Sequence, residues 1–150
     1  MGHRANYVVI RDRSAEAFRS QWGAMDCLND LSEGPQRAEA KARDSEPVEQ
    51  LLGWCWAEGG YLLDFDQRLC IAFGHPLEPT NVDDDWATRV RAFGPPYLAR
   101  IASKWPGWRL VLDFRGVDTF VEHLGRRGIT SVSAGERGGD EPSIVFEHQA

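Results

Sequence analysis

Apolar and polar positions divide the chain into short elements. Tyr7 to Arg11 is rich in β-formers, Asp12-Arg13-Ser14 suits a turn, and Ala15 to Trp22 sets Phe18 and Trp22 on one face at a spacing of four. An N-terminal hairpin is predicted. Met25, Leu28 and Leu31 then recur at helical spacing until Gly34-Pro35 stops the helix. Gln36 to Asp44 is charged and alanine-rich, a surface helix or connector with little to bury. Ser45-Glu46-Pro47 reads as a cap and first turn, with Val48, Leu51, Leu52 and Cys55 as the apolar stripe of a helix closed by Gly59-Gly60.

Tyr61 to Phe65 and Leu69 to Phe73 are apolar runs around Asp66-Gln67-Arg68, which predicts a core hairpin. A proline-containing loop from His75 leads to Asp83-Asp84-Asp85, whose acids suit the N-terminus of a helix carrying Trp86, Val90 and Phe93. Gly94-Pro95-Pro96 is expected to break that helix, and Tyr97, Leu98, Ile101 and Trp105 to form a second one. Trp105-Pro106-Gly107-Trp108 has the Pro-Gly centre of a type II turn and delivers the chain into a strand at Arg109 to Phe114. Gly116 turns the chain, Asp118 can cap, and Phe120, Val121 and Leu124 line a helix ended by Gly125. Ile129 to Val132 reads as a strand, Ser133 to Pro142 as an exposed loop, and Ser143 to Glu147 as a last strand.

These elements add up to an α+β fold: one domain over residues 1–150, with a mostly antiparallel sheet of five or six strands packed against four or five short helices. The hairpin of Tyr61 to Phe73 and the strand from Arg109 form its centre. A length of 150 residues suits one core, and a 42% hydrophobic composition with seven Phe and six Trp supplies it.

Charge and cysteine usage narrow the function. Lys and Arg number 17 against 23 Asp and Glu, and the net charge of −6 repels a phosphate backbone, so nucleic acid is not an expected partner. No apolar run approaches the roughly 20 residues of a membrane span. Cys27, Cys55 and Cys70 are an odd, widely spaced set that fits free buried thiols in a reducing compartment, and the expected location is cytoplasmic.

Motifs for chemistry are sparse. No phosphate-cradling loop, dinucleotide fingerprint, nucleophile elbow or His-Glu-x-x-His is present, so no cofactor or resident metal is expected. Leu62-Leu63-Asp64-Phe65 echoes Val111-Leu112-Asp113-Phe114; if the two strands are neighbours, Asp64, Asp66 and Asp113 converge on a shared proton or cation, with His75 or His123 as acid or base. The plainer account has each Asp at a strand end, neutralised by Arg68 or Arg115. The other candidate is aromatic: Trp54 and Trp56 cannot both lie on one apolar stripe, and Asp83, Asp84 and Asp85 beside Trp86 combine an anchor with an acidic rim.

The favoured function is a protein-binding domain that offers an acidic, aromatic surface to a basic protein partner, an immunity or antitoxin-like inhibitor being one form it can take. Two alternatives stand beside it. One is a small metal-assisted hydrolase or transferase using the clustered Asp residues, and the other is a structural subunit of a homo-oligomer.

Overall fold

The computed structural model describes residues 3–53, 58–74, 85–135 and 144–150. The chain opens on β1 (Ala5–Arg11) and β2 (Ser14–Ser20), paired antiparallel around Asp12 and Arg13. Both turn residues have positive φ, 52° and 63°, the twist that a tight two-residue hairpin requires and that side chains other than glycine adopt at a cost. A 3₁₀ turn (Gly23–Met25), α1 (Cys27–Asp30), another 3₁₀ turn (Leu31–Glu33) and α2 (Pro35–Arg43) lead to the short strands β3 (Glu46–Val48) and β4 (Gln50–Leu51). The hairpin β5 (Gly59–Asp64) and β6 (Leu69–Phe73) follows, then α3 (Trp86–Ile101), β7 (Arg109–Asp113), α4 (Val117–Arg126), β8 (Ser133–Ala134) and β9 (Val145–Gln149).

The main sheet has seven strands in the order β3-β2-β1-β5-β6-β7-β9, and it is mixed. This corrects the expected sheet of five or six mostly antiparallel strands: there are seven among the described residues, and two of their six pairings, β1–β5 and β6–β7, are parallel. Hairpin connections make β1–β2 and β5–β6 antiparallel, but α1 and α2 carry the chain from the first hairpin to a parallel β1–β5 pairing, and α3 does the same for β6–β7. A second, two-stranded parallel sheet joins β4 to β8. Among the described residues the α-helices are four, and α3 at 16 residues is not short.

Alternation along the strands sends two apolar sets to opposite faces. Tyr7, Val9, Tyr61, Leu63, Cys70 and Leu110 face α1, α2 and α3. On that side Tyr61 Oη donates to the Ala38 carbonyl at 2.7 Å, Trp105 Nε1 donates to the Leu31 carbonyl at 2.7 Å, and Tyr97 Oη donates to the Leu28 carbonyl. Val8, Ile10, Leu62, Ile71 and Val111 face α4, whose Phe120 meets Phe73 with ring centres 5.6 Å apart.

Three local expectations are overturned. The stretch predicted as a helix from Val48 is extended: Val48 pairs with Ala17 in β3, and the buried Asn6 amide bonds both the N–H and the C=O of Leu52 at 2.9 Å, holding the backbone straight. Cys55 lies outside the described residues. Pro95 and Pro96 do not break α3; Phe93, Tyr97, Leu98 and Ile101 bury one continuous face, and that packing outweighs the roughly 3 kcal/mol a helical proline costs. Ile129 to Val132 is not a strand; Ile129 and Val132 are buried under α4, and pairing begins at Ser133.

The turn at Trp105 to Trp108 forms as expected, with Gly107 at φ 82° and Trp108 N–H on the Trp105 carbonyl at 3.0 Å. Among the described residues no helix is long and apolar enough to cross a membrane.

Candidate functional site

The register gives the sheet two distinct ends. At one lie the β1–β2 turn, the β5–β6 turn, the start of β7 and the C-terminus of α4. At the other lie the starts of β1, β5 and β9 and the ends of β2, β6 and β7.

Asp64 and Asp66 belong to the first end. Asp64 is fully buried; its Oδ2 accepts from His123 Nε2 at 2.8 Å and from the Arg127 guanidinium, and its Oδ1 accepts from the Gln67 N–H at 3.0 Å. Burial alone pushes this carboxyl up, but the donors from His123, Arg127 and Gln67 outweigh it and hold Asp64 below the usual carboxylate range. Asp66 accepts from the backbone N–H groups of Asp12 and Arg13, each at 2.8 Å, and from Arg127 Nη2 at 3.0 Å. The Arg13 N–H, then the Arg127 guanidinium, lower its pKa as well. The positive-φ turn thus forms a cradle of N–H groups filled by a carboxylate from the neighbouring hairpin.

Asp64 and His123 have the pairing of a base and its orienting acid. However, His123 is 3% exposed and its Nδ1 is buried without a hydrogen-bond partner among the described residues, so the imidazole is closed off from solvent. The group is a clamp that ties two hairpin turns to the end of α4.

Asp113 sits at the opposite end. Leu69 pairs with both Asp64 and Arg109, which places Asp113 about 13 Å further along the strands at about 3.3 Å per residue. Its carboxylate accepts from the N–H, Nε and Nη2 of Arg115 at 3.1, 3.2 and 2.9 Å, and Arg115 also reaches Glu122 at 3.2 Å. Asp64 and Asp66 are therefore brought together and Asp113 is not, which leaves no common cation position for the three at hard-cation distances of about 2 to 2.6 Å. His75 lies outside the described residues. Among those described, no group of three His, Cys, Asp or Glu side chains could hold a metal ion.

The end that carries Asp113 is also the aromatic one. Trp86 is 51% exposed, standing edge-on to Phe114 with ring centres 5.7 Å apart, and Asp85 caps α3 by accepting the Thr88 N–H at 2.8 Å. Trp54, Trp56, Asp83 and Asp84 lie outside the described residues. Two further side chains belong to this end that were not among the candidate site residues: Trp22, 61% exposed where β2 leaves the sheet, and Met25 at 43%, followed in sequence by the exposed Asp26. A spacing of four puts Trp22 on the same face as Phe18 in a strand or a helix, yet Phe18 is buried in the sheet and Trp22 lies past the last paired residue of β2. The available signal was Gly23, a turn residue directly after it.

Four strand steps separate β2 from β7, or about 19 Å at about 4.8 Å per step. A protein interface of standard size covers roughly 800 Å² per partner, a disc about 30 Å across, which is wider than the separation of these two strands. No family model, curated protein or solved structure matches the chain.

Proposed function

We propose that this chain is a protein-binding domain, an inhibitor of the immunity or antitoxin kind, which engages a basic protein partner with the aromatic end of its sheet. The observation that carries this reading is the pair of exposed tryptophans on one sheet end, each with an exposed acid close in sequence: Asp26 follows Trp22 by four residues, and Asp85 directly precedes Trp86. Solvent-exposed Trp is costly to leave uncovered and is the residue type most enriched where interfaces gain their affinity. The net charge of −6 adds long-range attraction for a basic surface. A cytoplasmic setting agrees with Cys27, a free thiol whose complete burial pushes its pKa up to about 12 and keeps it unreactive.

The test is affinity capture from native lysate with the intact chain and with the double variant Trp22→Ala/Trp86→Ala. The expected result is a stoichiometric basic protein with the intact chain and its loss with the variant, at unchanged circular dichroism. Failure to recover any stoichiometric partner, or equal recovery by the variant, would overturn the reading.

A further inference from the structure

The two edges of the main sheet are protected unequally. The β3 edge is three residues long and carries Pro47 at its middle, the usual defence of an exposed edge. The β9 edge runs for five residues, Val145-Phe146-Glu147-His148-Gln149, without proline or lysine.

Hydrogen bonds fix which groups face outward. Phe114 N–H bonds the Ile144 carbonyl at 3.2 Å and Ala150 N–H bonds the Trp108 carbonyl at 2.8 Å, so the even-numbered residues of β9 are those bonded to β7. The backbone N–H and C=O groups of Val145, Glu147 and Gln149 therefore point away from β7, and no described strand pairs with them. Their side chains share the α4 face of the sheet, where Ile71, Val111 and Val145 floor a groove of about 230 Å³ rimmed by Arg109, Arg115 and Glu147. Val145 is 39% exposed, the one large apolar strand residue left so among those described.

We propose that the outer edge of β9 is a strand-pairing site for an extended segment of the protein partner, with an apolar side chain of that segment beside Val145 and a basic one on the outer side of Glu147, whose half-exposed carboxylate accepts from Arg109 at 2.7 Å on the β7 side. This rests on the protein-binding reading above and adds a second contact to it. The edge starts at the aromatic end: Phe114, which bonds Ile144, is the ring on which Trp86 stands. A partner docked on Trp86 is thus positioned to extend a strand along β9, its main chain satisfying the outward groups and its side chains setting register. A second copy fits less well. Antiparallel pairing centred on Glu147 would oppose that carboxylate to its own counterpart between two chains of charge −6, and five strand residues alone bury less than the roughly 1,000 Å² a stable interface needs.

The test uses the intact chain and a strand peptide of alternating pattern, acetyl-Thr-Thr-Lys-Thr-Val-Thr-Thr-amide, followed by amide exchange in NMR. In the free protein the Phe146 and His148 amides are expected to exchange slowly and those of Val145, Glu147 and Gln149 fast. Added peptide slows those three. Glu147→Pro removes an outward N–H and the carboxylate that meets Arg109 while leaving the backbone bonds to β7 in place, and Val145→Lys puts a charge on the edge; each is expected to weaken the peptide about tenfold or more, with circular dichroism unchanged. Slow exchange of the three amides in the free monomer overturns the proposal, as does peptide that fails to bind or binds without affecting them. A concentration-dependent dimer that protects the same amides assigns the edge to a second copy instead. Partner capture abolished by Trp86→Ala but indifferent to Glu147→Pro removes the strand site and leaves the protein-binding reading standing.

Discussion

Asp64 illustrates how far a residue's surroundings can differ from its sequence neighbours. Its position at a strand end was legible in the sequence, and so was the neutralisation of Asp113 by Arg115, two residues away. The cation that meets Asp64 is not the nearby Arg68 but Arg127, 63 positions on, together with His123, and no local pattern could announce that. Because the carboxylate is fully buried among these donors, Asp64→Ala leaves an imidazole and a guanidinium facing a cavity without their acceptor. The expected loss is about 3 kcal/mol of unfolding free energy, measured by urea denaturation. The same network sets an acid limit. Folded Asp64 and Asp66 both have pKa values below those of the unfolded chain, so their contribution is fully present above the ordinary carboxylate value of about 4 and is lost as pH falls through the folded values. Urea midpoints should hold steady from neutral pH to about pH 5 and drop below pH 4, and Asp66→Asn should flatten part of that drop.

Among the elements, α3 shows where sequence rules and tertiary packing diverge. Gly94-Pro95-Pro96 has the composition of a helix stop, yet the helix runs through it because the residues on both sides bury the same face. Gly94 is required there for a different reason: a Cβ at that position would lie 2.4 Å from the ring of Phe146, the β9 residue against which α3 packs. Gly94→Ala is therefore expected to lower stability by about 2 kcal/mol, even though alanine is the better helix former. Thermal unfolding of the variant checks this, and an unchanged or higher midpoint would refute the close contact. Short strands are the elements least readable from pattern. β3 and β4 look helical because Val48, Leu51 and Leu52 fall at helical spacing; what holds them extended is Ala17 on one side and the buried Asn6 amide on the other.

At the scale of the whole molecule, strand existence was legible for β1, β2, β5, β6, β7 and β9, because each carries enough apolar residues to declare itself. Strand order was not, since parallel pairing of β1 with β5 and of β6 with β7 depends on where the helices between them cross. That order separates Asp113 from Asp64 and puts Trp22 and Trp86 on the same end, so the placement of both candidate sites follows from topology rather than from motif. It also makes the proposed association measurable in its parts. Asp26 and Asp85 are exposed and close in sequence to the tryptophans, and exposed charges act chiefly on encounter, whereas buried aromatic contacts act on release. Asp26→Asn/Asp85→Asn should slow association with the captured partner several-fold and leave dissociation nearly unchanged, while Trp22→Ala should do the reverse. Raising salt from about 0.05 to 0.5 M, which shortens the screening length from roughly 14 to 4 Å, should slow association of the intact chain and have less effect on the Asn variant. Stopped-flow tryptophan fluorescence measures both rates. Association indifferent to salt and to the two acids would mean that the acidic rim serves α3 capping and solubility alone, and that no basic partner is being steered.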